Sequence, residues 1–237
     1  MTASLPFQRE KVDLKVSDGT LMSAYVARAG DPSDRPGILV LQEAFGVNSH
    51  IRNLADRLAL HGFVAIAPEL FHRSGSGFEG DYEDFQTVMP HMQAITAPGA
   101  EADLRAAFDW LHSQPGVRKD EISSIGFCLG GSMSYLANSI LPLRAAVSFY
   151  GGRIASDFLD RAPAMRSPIL LFWGGQDQHI PAEKRRAVTE ALTAAGKTYV
   201  NVEFSAAGHG FFCDERAAYH PRSARQAWSL TLEFLRG

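Results

Sequence analysis

The chain has 237 residues, with 46% hydrophobic residues, two cysteines and a formal net charge of −3. These values exclude a disordered chain, a disulfide-stapled miniprotein and a basic nucleic-acid binder, since Lys and Arg are scattered rather than clustered. No apolar run is long enough to cross a bilayer, and the Met1–Glu10 start lacks the charged-then-apolar order of a secretory leader. One domain over residues 1–237, with neither a nucleic-acid nor a membrane partner, is expected in a reducing cytoplasm.

Lys11–Val16 and Leu21–Val26 flank Ser17-Asp18-Gly19-Thr20 and predict an antiparallel hairpin with one solvated face. Gly37–Gln42 and Gly62–Ala67 are nearly continuous apolar runs, the pattern of strands covered on both faces. A helix from about Asn48 to His61 joins them, with Ile51, Leu54, Leu58 and Ala59 on one side. Ser74–Gly80 reads as loop, and Asp81–Ala97 as loop plus irregular helix. Ala100–His112 has helical spacing and stops at Pro115-Gly116. Leu143–Tyr150 and Pro168–Trp173 are further strands, Pro181–Ala195 a helix with Gly196 beyond it, and Thr198–Phe204 a last strand. Arg222–Leu235 is the terminal helix, with Ala224, Ala227, Trp228, Thr231, Leu232 and Leu235 as its buried face. Strands alternating with helices after an opening hairpin predict a single doubly wound, mostly parallel α/β sheet.

Between the strand at Ile122 and the small-residue helix start at Ser132 lies Gly126-Phe127-Cys128-Leu129-Gly130-Gly131. It matches the strand–turn–helix pattern G-x-S-x-G with Cys in place of Ser. A nucleophile on so sharp a turn takes a strained backbone, and neighbours bearing a Cβ would collide with the strand and helix. Standing alone, such a cysteine is as well read as a buried packing residue. Asp177 alone suits an ordinary turn and His209 alone a loop histidine. Together, Cys128, Asp177 and His209 each follow a strand, in the chain order nucleophile, acid, base. In an open α/β sheet the crevice lies at those strand ends. The chemistry uses each type: a thiolate to attack, an imidazole to move the proton, and a carboxylate to orient the imidazole.

The elbow Gly126–Gly131, the turn Trp173-Gly-Gly-Gln-Asp-Gln-His-Ile-Pro181, Ala207-Gly-His-Gly-Phe211 and Leu41-Gln-Glu-Ala-Phe-Gly-Val-Asn48 closely resemble the dienelactone hydrolase family, over essentially the whole chain. The resemblance implies an α/β-hydrolase fold that hydrolyses an ester or lactone through a thioester on Cys128, with no cofactor. It implies that Glu43 sits beside the thiol and helps to form the thiolate when substrate binds. It also implies an oxyanion hole of the Leu129 and Ala44 backbone N–H groups. Dienelactone hydrolases proper carry an arginine four residues after the histidine, and here that position is Cys213. Arg73 resembles another carboxylate-binding arginine of the family. With Cys213 neutral, a preference for uncharged or bulkier esters is expected, with Phe211 and Phe212 supplying apolar surface and Tyr150 a further substrate contact.

No metal-ligand spacing is present, since His50, His61, His72 and His91 are dispersed, and no dinucleotide fingerprint occurs. Two other classes remain. One is a non-catalytic binding protein that keeps the pocket, against which an intact triad argues. The other is a thiol redox protein using Cys128 and Cys213, which lacks a C-x-x-C motif.

Overall fold

The computed structural model describes residues 7–30 and 34–237, so the first six residues of the expected leader-free start lie outside it. The opening hairpin forms as expected. β1 (Phe7–Lys15) pairs antiparallel with β2 (Leu21–Ala29), closing on the Lys15–Leu21 pair. Asp18 Oδ1 accepts from the Thr20 N–H and Oγ1, and Gly19 takes φ +88°, which a side chain would oppose.

The chain divides into two compact units, Met1–Ser123 and Ser124–Gly237. In the first, β3 (Arg35–Leu41) and β4 (Val64–Pro68) pair in parallel, and β2 pairs antiparallel with β4. Every residue of β4 and the last five of β3 are buried, the reason for their unbroken apolar runs. α1 (Ser49–Leu60) connects them, capped by Asn48, whose side chain accepts from the Ile51 N–H. It buries Ile51, Leu54, Leu58 and Ala59, as the spacing predicts.

The segment read as loop holds a short helix, α2 (His72–Gly75), and α3 (Phe85–Ala94), which carries Pro90 and fully buries Val88 alone. α4 (Ala97–Ser113) starts three residues earlier than its apolar spacing because Thr96 caps it and Pro98 suits its first turn.

β5 (Val117–Phe127) crosses the boundary between the units, and its exposed beginning extends back through the charged Arg118–Glu121. The strand order is β1-β2-β4-β3-β5-β6-β7-β8, with β6 (Ala146–Phe149), β7 (Ile169–Gly174) and β8 (Tyr199–Phe204) all parallel. This is the mostly parallel sheet opened by an antiparallel hairpin that the pattern predicts.

In the second unit α5 (Leu129–Ile140) is buried along its whole length. Asn138 within it ties the segment before β7: its Oδ1 accepts from the Arg166 and Ser167 N–H groups, and its Nδ2 donates to the Ser167 carbonyl. Between β6 and β7 lie a π-helical turn (Ile154–Phe158) and a 3-10 helix (Leu159–Ala164) that the sequence did not announce. α6 (Ala182–Ala194) ends before Gly196 at φ +64°, and α7 (Pro221–Arg236) buries Ala224, Ala227, Thr231 and Leu235, with Trp228 and Leu232 half-buried.

Candidate active site

Cys128 stands between β5 and α5 with φ 53° and ψ −109°, in the left half of conformational space that only glycine enters freely. The surroundings hold it there. Its N–H donates to the Phe149 carbonyl at 3.0 Å, and its own carbonyl accepts from the Ser132 N–H. The flanking glycines have the predicted purpose. A Cβ on Gly126 would come within 1.9 Å of the Gly130 carbonyl oxygen, and one on Gly131 within 2.4 Å of the Phe149 oxygen. The thiol is partly exposed, and Leu129 opens α5, where the first N–H groups have no partner within the helix.

Asp177 and His209 come from the loops after β7 and β8. The two loops pack backbone to backbone: the Gly175 N–H donates to Phe204 O, and the Gln176 N–H to Ala207 O, both at 2.9 Å. Gly174 permits this, because a Cβ there would meet the Ala207 and Gly208 oxygens at 2.6 Å. Asp177 is buried, and its Oδ1 accepts from the backbone N–H of His179 at 2.8 Å and of Ile180 at 3.2 Å. Its Oδ2 lies 2.7 Å from His209 Nδ1, and His209 Nε2 lies 3.2 Å from Cys128 Sγ. The structure therefore joins the three expected side chains into one hydrogen-bonded chain.

The electrostatics follow from that chain. Burial pushes the Asp177 carboxyl upward, but His209 and the two backbone donors outweigh it and leave the pKa below the ordinary 3.8. For His209 burial works against the charged ring. Negative charge at Cys128, with the hydrogen bonds to Asp177 and Cys128, overcomes it and raises the pKa from 6.5 to about 10. The raised pKa favours a proton on the imidazole, whose Nε2 lies within hydrogen-bond distance of Cys128 Sγ.

The remaining candidates are placed as follows. Glu43 and Ala44 follow β3 in the first unit and are 1% and 0% exposed. Ala44 belongs to an apolar cluster with Phe45 and Val88. Arg73 does not present an open guanidinium. Nη1 and Nη2 each bond Asp103 at 2.8 Å, and Nε bonds Asp18 at 2.8 Å, so it fastens the hairpin turn to α4 instead of waiting for a substrate carboxylate.

Phe211, Phe212, Cys213 and Tyr150 are the other expected substrate contacts. They are 0%, 3%, 0% and 0% exposed, which leaves them almost no surface to offer a ligand. Phe212 packs on Phe127, Phe149 and Trp228, and Phe211 on Phe149, Tyr150 and Phe204. Tyr150 holds φ 39°, and its ring lies 5.0 Å from that of His209, so it is a wall of the histidine rather than of a pocket. Neither Cys128 nor Cys213 forms a disulfide.

Sequence reasoning missed two arginines. The guanidinium of Arg216 lies over Gly210, where a Cβ would stand 2.3 Å from its Nη1. That glycine at φ +75° next to the histidine was the available signal. The other arginine, Arg185, is treated below.

The sheet order, the elbow and the strand-end site define an α/β-hydrolase. The dienelactone hydrolase family profile matches residues 22–237. Two curated relatives, both named "Putative carboxymethylenebutenolidase", come from Synechocystis and Salmonella typhimurium. They are 32% and 38% identical over 232 residues, each alignment covering 92% of this chain, with 94% and 83% of the relatives covered. The crystal structure of "Putative Dienelactone Hydrolase" from Klebsiella pneumoniae superposes with a TM-score of 0.90 at 31% identity, covering 98% of this chain and 99% of that one. The chain belongs to the dienelactone hydrolase family and is a carboxylic ester hydrolase. No helix among the described residues is long and apolar enough to cross a membrane.

Proposed function

We propose that the protein hydrolyses small carboxylic esters or lactones, of the kind named in its carboxymethylenebutenolidase relatives, through a thioester on Cys128. The observation that carries this reading is the unbroken link from Cys128 Sγ through His209 to Asp177 on a strained elbow. Sulfur attacks the carbonyl carbon while His209 Nε2 holds the thiol proton. The oxyanion is received by the Leu129 N–H and, as the family resemblance implies, by that of Ala44. Collapse expels the alkoxide, which takes the proton from Nε2, and leaves an acyl-thioester. Water then attacks with His209 as base, and the carboxylic acid departs as Sγ is restored. Asp177 keeps Nδ1 protonated and the ring aimed at sulfur. Glu43 is assigned control of thiolate formation on the family resemblance. The whole chain acts as one catalytic domain, and a reducing cytoplasm, which keeps both cysteines out of disulfides, suits the chemistry.

The test is a panel of small esters and lactones run on the wild type and Cys128→Ala, with mass spectrometry of rapidly quenched reactions. Turnover is expected only with the cysteine present, alongside an adduct of acyl mass on the peptide holding Cys128. Cys128→Ser retains weak activity at most, because a hydroxyl ionises less readily than a thiol. Undiminished hydrolysis by Cys128→Ala overturns the reading. Tight ligand binding by the wild type without turnover of any panel member identifies a binding protein instead.

A further inference from the structure

We propose that Arg185 on α6 is a positioning residue for the site: its guanidinium clamps the turn that carries Asp177 and so fixes the bond to His209. This rests on the triad reading above. Asp177 stands midway between Gly174 and Ile180, three residues from each. Arg185 Nη1 donates to both of their carbonyls, at 3.3 Å to Gly174 and 2.6 Å to Ile180. One nitrogen thus closes the turn at both ends. On its other side, Nε lies 3.3 Å from Glu203 Oε2 on β8, the strand that leads into the His209 loop, an ion-pair distance without hydrogen-bond geometry. The remaining Glu203 oxygen sits against Gly175, 3.1 Å from where a Cβ would stand.

A single cation therefore closes the Asp177 turn through two carbonyls and lies at ion-pair distance from the strand preceding His209. The side chain is 10% exposed. A guanidinium so far removed from water is costly to retain, and an apolar side chain of equal length would fill the same space. The two hydrogens of Nη1 explain the choice, since one nitrogen serves both carbonyls. The Ile180 carbonyl that Arg185 holds belongs to the residue whose N–H bonds Asp177 Oδ1. Releasing that carbonyl frees the donor to drift, and with it the carboxylate that orients the imidazole.

The experiment compares Arg185→Met, Arg185→Lys, Asp177→Asn and the Asp177→Asn/Arg185→Met double variant on p-nitrophenyl acetate. Rates are normalised to Cys128 titrated with iodoacetamide, and the far-downfield proton resonance of His209 Nδ1 is recorded in parallel. Arg185→Met is expected to lower kcat per active site about tenfold or more with KM within about twofold, and to broaden or shift the resonance. Arg185→Lys, which can still donate to both carbonyls, recovers most of that loss. In the Asp177→Asn background the methionine adds less than about twofold, because a residue acting through Asp177 has nothing further to remove.

Wild-type kcat and an unchanged resonance in Arg185→Met overturn the proposal. So does an equal loss in both backgrounds, which marks a purely structural role, or a raised KM with kcat unchanged, which marks substrate contact. Should Arg185→Met not fold, Arg185→Gln is held to the same criteria. Asp177→Asn at the wild-type rate overturns the triad reading itself, whereas a slow Asp177→Asn beside a wild-type Arg185→Met overturns only the role of Arg185.

Discussion

Gly126→Ala puts the elbow geometry under direct strain. The new methyl would stand 1.9 Å from the Gly130 carbonyl oxygen and 2.2 Å from its carbon, whereas ordinary contacts begin at 3.4 Å. Both obstacles are backbone, so no rotamer change relieves them, and the start of α5 must move by about 1.5 Å relative to β5. That motion carries Cys128 and the Leu129 N–H away from His209. Overpacking of this severity costs about 3 kcal/mol, which in a chain of this size lowers Tm by roughly 6–12 °C. A displacement beyond about 1 Å at the reacting atom costs on the order of 100-fold in rate, so kcat/KM is expected to fall at least that far in the surviving folded fraction. The control is Gly196→Ala, at φ +64° with nothing within 4 Å of the new methyl. It pays only the left-handed backbone term of about 1–2 kcal/mol and leaves kcat/KM unchanged. Esterase assays with thermal melts of both variants decide the matter. Wild-type kcat/KM and Tm in Gly126→Ala refute the assignment of that glycine to the elbow.

Two further outcomes follow from the geometry and a third from the family resemblance. Because the His209 pKa is raised from 6.5 to about 10, its contribution to stability is complete below about pH 6.5 and is lost as pH rises through about 10; the Tm gap between wild type and His209→Gln narrows over that interval, and in Cys128→Ala, which removes the charge at sulfur, an NMR titration of the ring moves to lower pH. Arg73→Met leaves Asp103 without its guanidinium and is expected to destabilise by about 2 kcal/mol in chemical denaturation, while the ratio of kcat/KM for matched lactones with and without a carboxylate stays constant. Glu43→Ala is expected to speed alkylation of Cys128 near neutral pH and to slow kcat, and acceleration of both would assign Glu43 only to suppressing the thiolate.

Much of the fold was readable because local pattern and tertiary position agree. β3 and β4 are unbroken apolar runs and are buried, and Asn48 and Gly196 lie at helix ends where the sequence placed them, whereas the cap at Thr96 went unread. The misreadings arise where tertiary packing alone decides. The turns between Ile154 and Ala164 follow no period, and their shape is set by packing against α5 and α6. Arg118–Glu121 is too charged to read as strand, yet it extends β5 at an exposed end. Phe211, Phe212 and Cys213 looked like pocket lining because they follow the histidine. Their hydrophobicity instead serves the core beneath it, a distinction that composition cannot express.

The strained residues explain why the site needs so much packing beneath it. Among the described residues only Cys128 and Tyr150 hold positive φ without being glycine, and they end the adjacent parallel strands β5 and β6. Each is caught by the next strand: Cys128 N–H on Phe149 O, and Tyr150 N–H on Phe172 O, with Gly175 N–H on Phe204 O completing the series. The ladder bonds of β5 to β8 thus continue one step past the strands, into the residues that carry or face the triad. Left-handed backbone at a residue with a side chain costs about 1–3 kcal/mol, so it persists only where neighbours leave no alternative. Phe127, Phe149 and Phe172, whose rings pack in sequence at 4.7 and 4.4 Å, supply that constraint directly under the elbow. Order at the thiol is therefore a property of the strand ends and of the aromatic rings beneath them together.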